Sequence, residues 1–229
     1  MGKVQPIRDL DKIAEIEDML FGIGTPRGYR MFVMFEVGIY LGLRIGDMLK
    51  LRVGDIRGKE TFTFMPEKED VYHNRKTGEV VESHKPKVLT LTIAGELRNT
   101  IKKMYDGMPD DALLFPSRKT RNGKTKAISY KSAYMDMKLI ASAARLDYNV
   151  ATHTLRKTFG YQIYQQTHDA AWLAEWYGHS NPAYTLIYIG IDEDNKRAVT
   201  NNMPYKNRSR FDYRAMPEKR FFGPKAKVC

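Results

Sequence analysis

The chain has 229 residues, 42% of them hydrophobic, enough for a core that needs neither disulfides nor a structural metal. No run approaches the roughly 18 consecutive apolar residues of a membrane span, the N-terminus shows no basic stretch followed by an apolar one, and the single cysteine is the last residue, Cys229, so a membrane-spanning, secreted or disulfide-held protein is not expected. Lys and Arg outnumber Asp and Glu by 38 to 27, and the net charge of +11 favours a polyanionic partner, nucleic acid ahead of an anionic membrane.

Residues 9–21 place Leu10, Ile13, Ile16, Met19 and Leu20 in helical rhythm, and Gly22, Gly24, Pro26 and Gly28 then break the chain. The apolar stretch from Tyr29 to Leu43 reads as a buried helix. A second helix is expected from Arg44 through Leu51, closed by a turn at Asp55 and Gly58. Phe62 and Phe64 alternate with Thr61 and Thr63, and residues 88–92 (VLTLT) alternate in the same way, which predicts two strands. The polar segment between them, with a Lys76-Thr77-Gly78 turn, makes them one long hairpin. Residues 93–107 and 129–146 read as helices separated by a short apolar segment ending at Pro116 and a basic loop, residues 118–127, around Asn122-Gly123. Three shorter helices follow over 152–167, 169–177 and 182–189, with Gly178 suited to end the second and Pro182 to begin the third. Beyond about residue 200 the periodicity fades. Residues 204–229 hold eight Lys/Arg against two Asp/Glu, interleaved with Tyr205, Phe211, Tyr213, Phe221 and Phe222. Such a tail suits docking on DNA or a partner subunit, or remains solvated. The fold class is mainly α with a small antiparallel β-sheet (α+β), without internal repeats.

Several chemistries lack their motifs. The five histidines, His73, His84, His153, His168 and His179, are scattered, and no HExxH or CxxC spacing occurs, so no metal is expected. GxxxxGK[ST], a strand-to-helix GxGxxG and GxSxG are absent as well, so no nucleotide cofactor and no hydrolase elbow are expected. What stands out is cationic and phenolic. Arg44 interrupts apolar surroundings in Gly42-Leu43-Arg44-Ile45-Gly46-Asp47, with Asp47 three residues on to orient it. A guanidinium held this way is either a structural ion pair or a fork aimed at a phosphate. His153 and Arg156, three apart, share one helix face. His179 stands at a helix boundary nine residues before Tyr188. Taken singly, each is weak, and a tyrosine on an apolar helix is more often core.

Together and in this order, GLRIGD, THTLRKT and WYGHSNPAYTLIY resemble the arginine, HxxR, GHS and tyrosine motifs of the tyrosine recombinase (phage integrase) family, over roughly residues 29–199. The resemblance implies a short N-terminal helical segment over residues 1–28, a catalytic domain over 29–199 and a basic tail over 200–229. It implies Tyr188 as nucleophile, Arg44 and Arg156 on the scissile phosphate, and His153 and His179 assisting. It also implies a hairpin lysine. Lys68 follows the first strand at the expected distance but is followed by Glu69 where the family has Thr. Lys76 sits in a matching Lys-Thr-Gly turn eight residues further on. Lys68 is preferred, with Lys76 the alternative or a DNA contact. Lys119, Arg121, Lys124, Lys126 and Lys157 are expected DNA contacts.

The implied activity is site-specific cleavage and rejoining of double-stranded DNA through a covalent 3′-phosphotyrosine, without cofactor, by a homo-oligomer (a tetramer) assembled on DNA in the cytoplasm. About 28 residues precede Tyr29, too few for the DNA-clamping domain usual in the family. A non-catalytic DNA-binding accessory or regulatory protein on the same fold is the alternative, and a topoisomerase-like relaxing enzyme a third reading.

Overall fold

A computed structural model describes residues 3–66, 70–73, 80–84, 88–121 and 124–202. Asp9 caps the first helix, α1 (Leu10–Gly22), its carboxylate accepting from the N–H of Asp11 at 2.8 Å. The helix turns Ile13, Ile16 and Leu20 inward. Thr25 caps α2 (Pro26–Leu41), with Pro26 in the first turn, where its missing N–H costs nothing. Met31, Met34, Phe35, Val37 and Leu41 of α2 are all buried. The helix stops at Gly42, whose φ of 59° is left-handed. A Cβ there would also lie 2.4 Å from the Phe159 ring, so both backbone and packing require glycine.

The helix expected over Arg44–Leu51 is one turn, α3 (Ile45–Met48), and a further turn, α4 (Val53–Ile56), follows. Strand β1 (Thr61–Phe64) pairs antiparallel with β4 (Leu89–Thr92), Phe62 facing Leu91. Between them β2 (Asp70–His73) pairs antiparallel with β3 (Val80–His84). Helix α5 (Gly95–Met104) buries Leu97 and Ile101. The expected basic loop is instead a hairpin, β5 (Pro116–Arg121) against β6 (Lys124–Ala127), with Arg121 opposite Lys124. Asn-Gly between two Thr-containing runs is a hairpin signal, and its polar surroundings obscured it. Then come α6 (Tyr130–Ala143), α7 (His153–Thr167), α8 (Ala170–Tyr177), α9 (Pro182–Ile189) and α10 (Ile191–Asn201). The chain is thus mostly helical with small antiparallel pairs. Its residues divide into two compact units, 1–191 and 192–229. In the second, Lys196 pairs with Asp192 one helical turn away, at 2.7 Å.

In the first unit the larger core gathers α1, α2, α5 and α6, while a smaller one comprises Phe159, Leu173, Tyr177, Ile189 and Ile191. Helix α7 belongs to both, through Leu155 and Phe159 respectively. Asp136 on α6 is 1% exposed and accepts from Arg27 at 2.7 Å and Arg30 at 2.8 Å, so a buried carboxylate ties α2 to α6.

Candidate active site

The first turn of α7 carries His153 on the surface and Arg156 one turn deeper. A guanidinium 6% exposed is tolerable only if its N–H groups find acceptors. Arg156 Nη1 donates to the Gly42 carbonyl at 2.7 Å and Nη2 to the Tyr177 carbonyl at 3.0 Å. Its Cζ lies 4.0 Å from the centroid of the Tyr177 ring, a cation–π contact. The Tyr177 hydroxyl donates back to the carbonyl of Arg156. Gly42 stands two residues before Arg44, so the second arginine holds the turn that carries the first. Arg44 occupies the position just before α3, in extended backbone.

Helix α8 ends at Gly178, and the following His179 sets its Nδ1 2.8 Å from the buried hydroxyl of Thr185 on α9. That contact leaves Nε2 on the opposite side of the ring. Asn181 caps α9, accepting from the Ala183 N–H at 2.8 Å. Near the far end of this helix the Tyr188 hydroxyl lies 3.2 Å from His153 Nδ1 and hydrogen bonds to the Arg156 guanidinium. The His179 and Tyr188 rings meet edge to face with centroids 5.6 Å apart.

Burial raises the Tyr188 hydroxyl above the ordinary phenol range, and the positive charges of Arg156 and Arg44 pull it partly back. Burial likewise raises the Asp47 carboxyl, opposed by Arg44, Arg156 and Lys50. Tyr188 is therefore a firmly protonated phenol at neutral pH. In the tautomer with a bare Nδ1, His153 accepts a hydrogen bond from that hydroxyl.

Arg44, Asp47, His153, Arg156, His179 and Tyr188 thus come from four chain segments into one cluster. Lys68 and Lys76 lie outside the described residues. Lys119, Arg121 and Lys124 have their backbone in the β5–β6 hairpin and their side chains outside the described residues, while Lys126 is exposed on β6. Lys157 departs from expectation. It is 5% exposed, donates to the Val4 carbonyl at 2.9 Å and places Nζ 4.9 Å from the centroid of the Tyr188 ring, so it is not a surface contact. Three supports escaped sequence reasoning: the Gly42 carbonyl, Tyr177 and Thr185. Tyr177 and Thr185 stand inside a quoted motif, but no periodicity marks a tyrosine as an arginine's platform. A cavity of about 370 Å³ lined by Arg27, Arg30, Tyr105 and Arg118 lies near the opposite end of α2, away from Tyr188. Among the described residues no His/Cys/Asp/Glu group suited to a metal ion occurs, and no helix is long and apolar enough to cross a membrane.

Residues 9–195 match the model of the phage integrase family. The probable integrase/recombinase YoeC of Bacillus subtilis (strain 168) is 37% identical over 199 residues, 87% of this chain and 96% of that protein. The tyrosine recombinase XerD of Staphylococcus saprophyticus is 22% identical over 209 residues, which span 85% of this chain and 63% of XerD. Among solved structures, the XerH site-specific recombinase in its post-cleavage complex with palindromic difH substrate superposes with a TM-score of 0.57 at 19% identity. That match covers 89% of this chain and 54% of XerH, so the chain spans about half of that recombinase.

Proposed function

The chain belongs to the phage integrase family, and from that premise we propose that it is a site-specific DNA recombinase that cleaves and rejoins duplex DNA through a 3′-phosphotyrosine on Tyr188. The observation that carries the proposal is the Tyr188 hydroxyl standing 3.2 Å from His153 Nδ1 while hydrogen bonded to the buried Arg156.

Phenol attack on a phosphodiester meets three obstacles, and the cluster supplies a group for each. The phenol must lose its proton, which His153 takes as Oη bonds to phosphorus. Charge grows on the non-bridging oxygens, and Arg44, Arg156 and Nε2 of His179 donate to them, each such preorganised donor contributing roughly 3–4 kcal/mol. The departing 5′ oxygen needs a proton, assigned to the hairpin lysine, Lys68 by preference and Lys76 as the alternative, for an effect of about 10²–10⁴-fold. The phosphodiester is exchanged, not hydrolysed. A 5′-hydroxyl from either strand end then attacks the phosphotyrosine, giving its proton to the lysine as it bonds to phosphorus, while His153 returns its proton to the departing Tyr188 oxygen. Asp47 orients Arg44. Strand exchange requires paired cleavages, so the working form is a homo-oligomer, a tetramer on DNA, in the cytoplasm where that DNA lies. The net charge of +11 supports duplex DNA as partner.

The test uses a pool of nicked duplexes of randomised sequence, in which cleavage beside the nick releases a short fragment and traps the covalent complex. The wild-type chain should form a denaturant-resistant adduct whose DNA can be sequenced, and Tyr188→Phe should form none. An adduct persisting with Tyr188→Phe overturns the assignment. Sequence-selective binding without any adduct supports a DNA-binding accessory protein instead.

A further inference from the structure

Residues 3–8 lie as a strap across α7 and the end of α9. Gln5 N–H donates to the Asn149 carbonyl at 3.0 Å, and Ile7 N–H to the Thr158 hydroxyl at 2.9 Å. Gln162 Nε2 on α7 donates to the Arg8 carbonyl at 2.8 Å, and the Ile7 side chain is 1% exposed. On the other side, Lys3 Nζ donates to the Ile187 carbonyl at 3.3 Å. Ile187 is in the last turn of α9, whose carbonyls lack intrahelical donors and favour a cation. The strap therefore joins the helix bearing His153 and Arg156 to the helix end bearing Tyr188.

Lys157 is the side chain where these contacts meet. Its stem is buried on α7, its ammonium donates to the strap at Val4, and the same ammonium faces the ring of Tyr188 at 4.9 Å. Burying an ammonium is costly, and an apolar residue of similar volume would fill the site without that cost. The ring explains the charge. A phenol ring attracts a cation through its face, and the attraction grows as the oxygen loses its proton and the ring gains electron density.

We propose that Lys157, clamped by the N-terminal strap, is a positioning residue for Tyr188: its ammonium holds the ring in its attacking orientation and steadies it as the phenol ionises. The inference rests on Tyr188 being the nucleophile.

The test compares Lys157→Met and Lys157→Arg with wild type, with Tyr188→Phe identifying the Tyr188 signal in protein carrying ¹³Cζ-labelled tyrosine. Lys157→Met should move the Tyr188 resonance and raise its titration midpoint, keep the melting temperature, and leave affinity for the duplex pool unchanged. It should slow single-turnover adduct formation roughly ten- to thirty-fold, the scale of a desolvated cation–π contact. Lys157→Arg should restore both resonance and rate. An unmoved Tyr188 resonance with an undiminished rate overturns the inference, as does lost affinity with a normal rate at saturating DNA, which would make Lys157 a DNA contact. The premise fails separately, by adduct formation in Tyr188→Phe. If that variant forms no adduct and Lys157→Met behaves as wild type, the positioning role alone is wrong.

Discussion

Gly160 lets α7 pack tightly against Tyr177 and Ile189 of the smaller core, and an alanine there tests whether that packing sets the site. A Cβ at Gly160 would lie 2.3 Å from the Tyr177 hydroxyl, 2.8 Å from Ile189 Cγ2 and 3.0 Å from Tyr177 Cε2. None of these atoms is free to retreat. The Tyr177 hydroxyl donates to the Arg156 carbonyl, its ring carries the Arg156 guanidinium, and Ile189 is fully buried next to Tyr188. Two effects oppose each other. Alanine in a helix interior gains about 1 kcal/mol over glycine. Overpacking costs about 1–3 kcal/mol, and loosening the Tyr177 hydrogen bond costs about 1 kcal/mol more. Gly160→Ala should therefore lower the unfolding free energy by roughly 1–3 kcal/mol, read from the denaturant midpoint at unchanged slope. Because Ile189 cannot move without Tyr188, adduct formation on the nicked pool should fall as well, by up to about 10²-fold for a displacement near 1 Å. Gly95→Ala serves as the comparison, since its new Cβ would meet nothing nearer than Arg98 Nη2 at 3.7 Å. If Gly160→Ala equals wild type in both stability and cleavage, the close-packing argument is wrong.

Burial and the neighbouring Glu17 push the Glu36 carboxyl on α2 up to about 8, whereas an unfolded glutamate titrates near 4.3. Between those values the folded state holds the extra proton, so stability falls as pH rises through that window and levels off above it. Glu36→Gln, which mimics the protonated acid, should match wild type near pH 4 and exceed it by a few kcal/mol near pH 8 in denaturant titrations. Arg156→Lys should cost about 2–4 kcal/mol and at least about 10²-fold in adduct formation, because one ammonium cannot span two carbonyls and a ring face; near-wild-type cleavage would show the fork to be dispensable. Asp136→Asn removes the buried charge shared by Arg27 and Arg30 and should destabilise by roughly 2–4 kcal/mol, less than a fully enclosed pair because Arg27 is 44% exposed. Affinity for duplex DNA should drop steeply between about 50 and 200 mM salt, and a flat response in a filter-binding titration would remove the phosphate-contact model.

Local chemistry made much of this legible in sequence. Asp9 and Asn181-Pro182 announce helix starts because capping is decided within four residues, whereas Pro26, read as part of a break before Tyr29, is in fact the first residue of α2 behind its cap Thr25. The alternating Thr/Phe and Thr/Leu runs announce β1 and β4 for the same reason. Long-range acceptors stayed hidden. Arg156 finds its carbonyls 114 and 21 residues away, and Lys157 its carbonyl 153 residues away. A lysine beside HxxR therefore reads as a cation for DNA until the fold closes over it. Helices α3 and α4 are too short for periodicity to measure, and α10, with Asp192, Glu193, Asp194, Lys196 and Arg197 crowded into its first two turns, carries few apolar residues to detect.

The cluster has a common construction that the chain order conceals. Arg44 immediately precedes α3, His153 opens α7, His179 follows the end of α8 and Tyr188 is next to last in α9. Helix ends are where backbone groups lack intrahelical partners, and Arg156 exploits two of them, since Gly42 closes α2 and Tyr177 closes α8. One buried guanidinium thus ties two helix C-termini together, favourably placed against their partial negative charge, while its own helix presents His153. The arginine that addresses the phosphate in the proposed chemistry is therefore also a structural centre of its surroundings. That dual role predicts an asymmetry: residues that only react, such as Tyr188, tolerate isosteric change without loss of fold, whereas Arg156 does not.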